Sequence, residues 1–277
     1  MSTGDLANAV QRATWNGDDA THWIDHRNHL DDMSRKATER LFDEAGIGAT
    51  DQVLDIGCGT GQCTRIAARS AAKGHAVGID LSTPMVAAAR SLAVAEQLSN
   101  VDFIDEDAQT HRFDAGRFDV AISRAGVMFF DDPHAAFANV RSSLKSGGRL
   151  VFVCHRDAPG PARDLVAAIS AQLPASTSDA PPPIVDFTDE DQLHELCKAS
   201  GFTRTVVEPI DYLSRWGTEL DETVDFLFDY HLSFLTRALT DDNRNEARSK
   251  VIDMLRPFHV YGAIRVPVAG WIVTADN

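Results

Sequence analysis

An α/β fold, a mostly parallel sheet with helices on both faces, is what this sequence predicts. Three observations carry that reading. Short apolar runs at 52–56, 76–80, 101–104, 118–123 and 149–154 alternate with longer helical stretches, and that alternation implies parallel strands joined by helical crossovers. A glycine-rich turn, Gly57-Cys58-Gly59-Thr60-Gly61, stands between the first run and the first helix after it. Asp55, Asp80 and Asp107 fall at or just beyond the ends of three of the runs, the edge at which open α/β sheets bind ligands.

The elements follow in order. Residues 1–50 read as helical and amphipathic, with Trp15, Trp23, Ile24, Leu30, Met33 and Leu41 among charges. The strand at 52–56 leads into an alanine-rich helix to about 73. A second strand covers 76–80. The next helix runs over 83–98, with Ser82 or Thr83 as its N-cap and Pro84 near its first position. Strands at 101–104 and 118–123 follow, then a helix over 133–144 that Gly147-Gly148 stops, then the strand at 149–154. The segment 156–187 changes character, with Pro159, Pro161, Pro174 and Pro181-Pro182-Pro183. It reads as a long connection, helical near 162–172. Thr188 caps a helix to about Ser200, with Glu190 and Asp191 in its first turn and Gly201 ending it. A strand at 202–208, two helices within 218–257 and a last strand at 270–274 complete the chain. The organisation expected is one structural domain: an N-terminal helical lid (1–50), an α/β core (51–155), a Pro-rich connection (156–187) and a C-terminal part of the core (188–277) with a helical insertion at about 211–265.

Composition bounds the function. The 277 residues are 44% hydrophobic and 24% charged, an ordinary globular balance. No run of 18 apolar residues occurs, so no transmembrane helix is expected. The N-terminus lacks a basic segment followed by an apolar one, so no signal peptide is expected. The formal net charge of −15 opposes binding to a phosphate backbone and to an anionic membrane. The partner expected is a small molecule, with neither nucleic acid nor membrane. Cys58, Cys63, Cys154 and Cys197 form no C-x-x-C pair. They fit no zinc template and read as buried thiols in a reducing cytoplasm. No metal site is expected.

The glycine turn carries most of the chemistry. Three glycines in five residues let the backbone turn tightly and approach a ligand without a Cβ in the way, and the following helix presents unpaired N–H groups. The dinucleotide fingerprint G-x-G-x-x-G/A places its third small residue at Gln62 when counted from Gly57, which does not fit. The small residue comes one position earlier, at Gly61. Asp55 before the turn would repel a pyrophosphate and attract a cation. Those features point to S-adenosylmethionine, which is cationic at its amine and its sulfur.

The string Val-Leu-Asp-Ile-Gly-Cys-Gly-Thr-Gly at 53–61 resembles the first motif of class I S-adenosylmethionine-dependent methyltransferases. Residues from about 14 to 155 are similar to a bacterial small-molecule group of that family, related to the ubiquinone/menaquinone C-methyltransferases. The resemblance implies a Rossmann-like, seven-stranded sheet whose last strand, at 270–274, inserts antiparallel between the fifth and sixth. It also implies S-adenosylmethionine as cofactor, leaving as S-adenosylhomocysteine.

The site residues follow from residues and resemblance together. Asp55, Gly57, Cys58, Gly59 and Gly61 would cradle the methionine end. Asp80, 19 residues after Gly61, can accept both ribose hydroxyls, and Ile79-Asp80-Leu81-Ser82 resembles the family's second motif. Leu81 and Met85 would flank the adenosine. The resemblance gives Asp107 the adenine amine and the Ala108 N–H the adenine ring, with Asp105 and Glu106 as competitors. Ser123 and Arg124 follow the fourth strand, beside the transferable methyl. Arg124 either holds an anionic substrate group or the methionine carboxylate, or forms a structural ion pair. Met128, Phe129 and Phe130 read first as core. Trp15-Asn16-Gly17 and Trp23 resemble a lid segment, and both tryptophans also suit core anchoring. Arg27 and Arg35 are candidates for the methionine carboxylate. His155 stands where relatives often carry an aromatic residue and is the first candidate for a general base, ahead of His231 and His259. The reading is a metal-free methyltransferase. A non-catalytic S-adenosylmethionine-binding protein and a nicotinamide oxidoreductase are the alternatives, the second opposed by Asp55 and Gln62.

Overall fold

Valine, isoleucine and leucine runs too short to be helices pair into one sheet. The computed structural model describes residues 7–172 and 189–277. Four short helices come first: α1 (Ala9–Trp15), α2 (Asp18–Asp25), α3 (Arg27–Met33) and α4 (Arg35–Ala45). The alternating core follows as β1 (Gln52–Ile56), α5 (Gln62–Ser70), β2 (His75–Asp80), α6 (Thr83–Ala95), β3 (Val101–Asp105), β4 (Phe118–Arg124), α7 (Pro133–Ser143) and β5 (Leu144–His155). Then come α8 (Pro161–Ser170), α9 (Glu190–Ala199), β6 (Arg204–Gly217), α10 (Leu220–Phe226), a π-helical turn (Leu227–His231), α11 (Ser233–Thr236), α12 (Asp241–Leu255), β7 (His259–Val260) and β8 (Ala263–Asp276).

The strand order is β3-β2-β1-β4-β5-β8-β6, with the two-residue β7 paired to β8. β1 to β5 are parallel, while β8 lies antiparallel between β5 and β6. The order reverses between β1 and β4, so their carboxyl ends open a crevice at the switch point. Leu54, Ile79, Phe118, Phe137 and Phe152 anchor the core on one sheet face. Leu41, Val53, Ala67, Val120 and Ile272 anchor it on the other. A separate apolar cluster joins Leu30 and Met33 to α8, α10, α12, Trp216 and Ile264.

Local chemistry sets the boundaries. Ser82 caps α6 through the Met85 N–H, with Pro84 in the first turn. Asp132 caps α7 through the Ala135 N–H. Three expectations are corrected. α7 stops at Ser143, before Gly147-Gly148, because those glycines lie inside β5 where its register with β4 shifts. Asp189, whose side chain accepts from the Asp191 N–H, caps α9; Thr188, the residue expected there, lies outside the described residues. β6 runs on to Gly217 and β8 starts at Ala263, so the helical insertion begins near Leu220 rather than at about 211. Pro209, Pro267 and Gly270 lie inside these longer strands. β6 is an edge strand, where a proline lacking its N–H costs no ladder bond if it faces outward.

Candidate functional site

The crevice at the switch point holds a cavity of about 290 Å³, at the small end of ligand sites (roughly 300 Å³ upward). Gly57, Gly59, Asp80, Leu81, Met85, Asp107, Ala108, Arg124, Trp15 and Trp23 line it, with Ala125, Gly126, Met128, Phe129 and Phe130. The turn is pinned from below, because the Gly57 and Cys58 N–H groups both donate to the Ile79 carbonyl, at 2.9 and 3.1 Å. Gly57 has φ +65°, and a Cβ there would come within 2.7 Å of the Gly126 Cα. A side chain at either glycine would close the floor, so both are cradle positions. Gly61 also has positive φ but sits behind the cavity, where a Cβ would meet the Phe103 ring at 2.7 Å.

Asp80 is placed by the end of β2. One carboxylate oxygen accepts from the Gly59 N–H at 2.8 Å and the other from the Ser82 N–H at 2.9 Å. Both oxygens keep lone pairs free for a vicinal diol. Burial, only partly offset by those bonds, raises its pKa. Asp107 accepts from the Gln109 N–H at 2.8 Å with one oxygen and from the Asn8 side-chain amide at 2.8 Å with the other.

Asn8 was not singled out by the sequence. It is fully buried, left-handed at φ 53°, and clasps Asp131 in both directions, at 2.6 and 2.7 Å. An asparagine ahead of a helix, tolerant of positive φ, was the available signal. Trp15 meets Trp23 edge-to-face at 5.7 Å and Phe129 at 5.5 Å. Asn16 anchors this corner by donating to the Leu81 carbonyl at 3.1 Å and accepting from the Thr83 N–H at 3.0 Å. The tryptophans thus stand at the cavity wall.

Other expected residues stand behind or apart from it. The Asp55 carboxylate is buried and accepts from the Thr64 hydroxyl at 2.6 Å. Burial, against that bond and the charge of Arg124, pushes its pKa up to about 6. Cys58 is buried under Gly78, and burial raises its thiol well above the usual range. Ser123 donates to the Ile56 carbonyl at 2.7 Å, bracing β1 against β4. Arg124 lines the cavity, yet it donates to Thr38 at 2.8 Å, to Asp31 at 3.0 Å and to Gln62. Burial acts against its charge, but Cys63, Asp31 and Asp55 outweigh that and hold its pKa up. The structure thus realises the ion pair with Asp31, a partner 93 positions away that no local spacing reveals.

Arg27 donates to the Ile24 carbonyl at 2.9 Å, outside the cavity wall. Arg35 pairs with Asp32 at the surface. His155 lies at the end of β5 and lines a different cavity, because the side of β5 that faces the switch point is closed by Met128, whose sulfur accepts from the His155 N–H at 3.2 Å. His259 is exposed in β7. Among the described residues no cluster of three or more His, Cys, Asp or Glu is arranged to hold a metal, and no helix is long and apolar enough to cross a membrane.

The fold and this cavity define a class. Residues 53–148 match a family described as "Methyltransferase domain". Over 114 residues the chain is 36% identical to the aklanonic acid methyltransferase DauC of Streptomyces sp. (strain C5), covering 41% of this chain and 52% of the relative. Over 196 residues it is 26% identical to the ubiquinone/menaquinone biosynthesis C-methyltransferase UbiE of Rhizobium johnstonii, covering 63% and 76%. The solved YcgJ protein of Bacillus subtilis shares the fold, with a TM-score of 0.57 at 19% identity over 88% of this chain and 98% of that one. The chain spans about half the length of the first curated relatives it matches. Residues 53–148 are thus similar to methyltransferase domains, and the wider chain is similar to a ubiquinone/menaquinone C-methyltransferase.

Proposed function

We propose that the protein transfers a methyl group from S-adenosylmethionine to a small-molecule acceptor by direct displacement. The observation that carries this reading is the spacing of Asp80, the Gly57–Gly126 contact and Asp107 around one cavity. The residues present fit the cofactor. Asp80 offers lone pairs to the ribose diol. The bare backbone at Gly57 and Gly59 leaves room for the methionine chain. Leu81 and Met85 supply apolar walls for the adenine, and Asp107 with Ala108 lies at the adenine end.

Bound there, the cofactor would supply an electrophilic sulfonium methyl. The chain's own task is alignment and exclusion of water, which supply most of the acceleration in such a displacement. Trp15, Trp23 and Phe129 can shelter the site with their rings, and aromatic faces favour a cation by about 1–2 kcal/mol when desolvated. We take residues 7–45 as a lid on that basis. The buried Asp55, beneath the turn, adds negative potential. Arg124 with Asp31 is a neutral pair as a whole, so it orients the wall rather than attracting an anion from a distance.

Calorimetry tests the reading. S-adenosylhomocysteine should bind one per chain and NADH should not. Asp80→Ala should weaken S-adenosylhomocysteine at least tenfold, about 1.4 kcal/mol; unchanged affinity would remove the ribose assignment. Labelled methyl incorporation across phenols, amines and carboxylates then identifies the acceptor.

A further inference from the structure

The N-terminal segment reaches the Asp107 end of the switch-point cavity through one side chain. Asn8 is fully buried and lies outside the cavity wall, whereas Asp107, 4% exposed, forms part of that wall. The Asn8 amide donates to one Asp107 oxygen at 2.8 Å and to the Gln109 side-chain oxygen at 3.2 Å. The Gln109 backbone N–H donates to the other Asp107 oxygen at 2.8 Å. Asn8, Asp107 and Gln109 therefore form a closed triangle of hydrogen bonds.

The triangle acts on a soft torsion. An aspartate carboxylate rotates over a broad range about its last bond, and the Gln109 N–H alone holds one oxygen, as in a turn begun by aspartate. The Asn8 amide holds the second oxygen and so fixes the plane of the group. Each carboxylate oxygen takes about two hydrogen bonds, so both keep a lone pair for a ligand. Asn8 is held in turn. Its side-chain oxygen accepts from the Asp131 N–H at 2.7 Å, and its own N–H donates to the Asp131 carboxylate at 2.6 Å. Its carbonyl accepts from the Arg12 N–H, which starts α1. The far end of α1 is tied separately, where Asn16 bonds to Leu81 and Thr83. Of these two ties, the one at Asn8 bears on Asp107.

We propose that Asn8 is a positioning residue for adenine recognition: it aims the Asp107 carboxylate at the exocyclic amine, so the N-terminal segment sets how sharply the site selects adenine. This assignment rests on the cofactor reading above, which gives Asp107 the adenine end. A ligand without the amine gains nothing from the aim. Asn8 therefore acts on selectivity, whereas a merely structural residue would act on all ligands alike.

The test compares S-adenosylhomocysteine with its purine analogue, which carries hydrogen in place of the 6-amino group, by calorimetry on the full chain. The parent should prefer S-adenosylhomocysteine at least tenfold, the usual effect of a hydrogen bond to a charged group, and Asp107→Ala should abolish that preference. Asn8→Gly keeps the left-handed backbone at φ 53° without strain. It should lower the preference at least threefold and hold the purine analogue within twofold of the parent. Asn8→Ala loses the same donor but adds backbone strain, and it should lower the preference by the same factor. Asn16→Ala loosens the other end of α1 and should leave the preference unchanged. The assignment falls, with the methyltransferase reading intact, if the parent binds S-adenosylhomocysteine without the preference or if Asp107→Ala retains it. It falls equally if either Asn8 variant retains the preference, or if Asn16→Ala lowers it as far. Failure of the parent to bind S-adenosylhomocysteine overturns the methyltransferase reading and this assignment with it.

Discussion

The two halves of the sheet build cavities by different means. On the β1–β4 side the floor is backbone: a glycine turn, two N–H groups on Asp80, and a Gly57–Gly126 contact that no side chain can enter. On the β5–β6–β8 side the wall is side chains from α8, β6, β8 and the helical insertion, with ion pairs on the rim. A backbone site is specific for one ligand shape and tolerates few substitutions. A side-chain site changes its contents with each substitution while the sheet beneath stays intact. The contrast fits the first half to the constant cofactor of the proposed reaction.

Four substitutions probe that contrast. Leu165→Ala, at a side chain only 1% exposed, should cost about 3–4 kcal/mol of stability through the lost burial and the cavity left behind, measured by urea unfolding. S-adenosylhomocysteine affinity should not move, and a parallel loss would mean that the halves are coupled. Asp55→Asn tests the backbone half. The folded pKa of about 6 lies above the ordinary 3.8, so the folded state holds this proton more tightly than the unfolded chain. The charge therefore costs stability above pH 6, and that cost disappears as pH falls below about 3.8. Asparagine, still able to accept from Thr64, should stabilise the protein by ~3 kcal/mol at pH 8 and by nothing near pH 3.5. Equal gains at both pH values would show that burial of charge is not the cause.

Gly57→Val should reduce S-adenosylhomocysteine affinity on the order of 100-fold, about 2.7 kcal/mol, because the new Cβ meets Gly126. Retained affinity would show that the backbone cradle is not the binding surface. The smallest effect belongs to Arg248, which bridges Asp221 and Asp225 at 2.9 Å on the helical insertion. Arg248→Ala should cost under about 1 kcal/mol, as partly exposed pairs do, and leave ligand binding unchanged.

The same division explains what the sequence discloses. Asp80 and the glycines are legible because backbone chemistry needs fixed residue types at short spacing. The alternation of strand and helix from 52 to 155 is legible for the same reason, since each crossover closes within a few tens of residues. The Arg124–Asp31 pair and the Asn8 clasp on Asp107 and Asp131 are not, because they join residues about a hundred positions apart. The full lengths of β6 and β8 were also hidden. Pro209 stands in the edge strand β6, and Pro267 in β8 beyond the last residue that pairs with β5, so each has a side without a partner strand. The separation of His155 from the switch-point cavity depends on where Met128 packs, which no spacing encodes.

The position of β8 has a consequence for biosynthesis. Residues 263–276 occupy an interior place in the sheet, yet they leave the ribosome after the sheet's other strands. Until they emerge, β5 has an open edge and β6 has no partner, both ready templates for pairing with another chain. The pairings that close them span about fifty to more than a hundred residues, which makes the step slow. A nascent chain stalled before residue 263 should therefore be the species most dependent on chaperones and most inclined to aggregate.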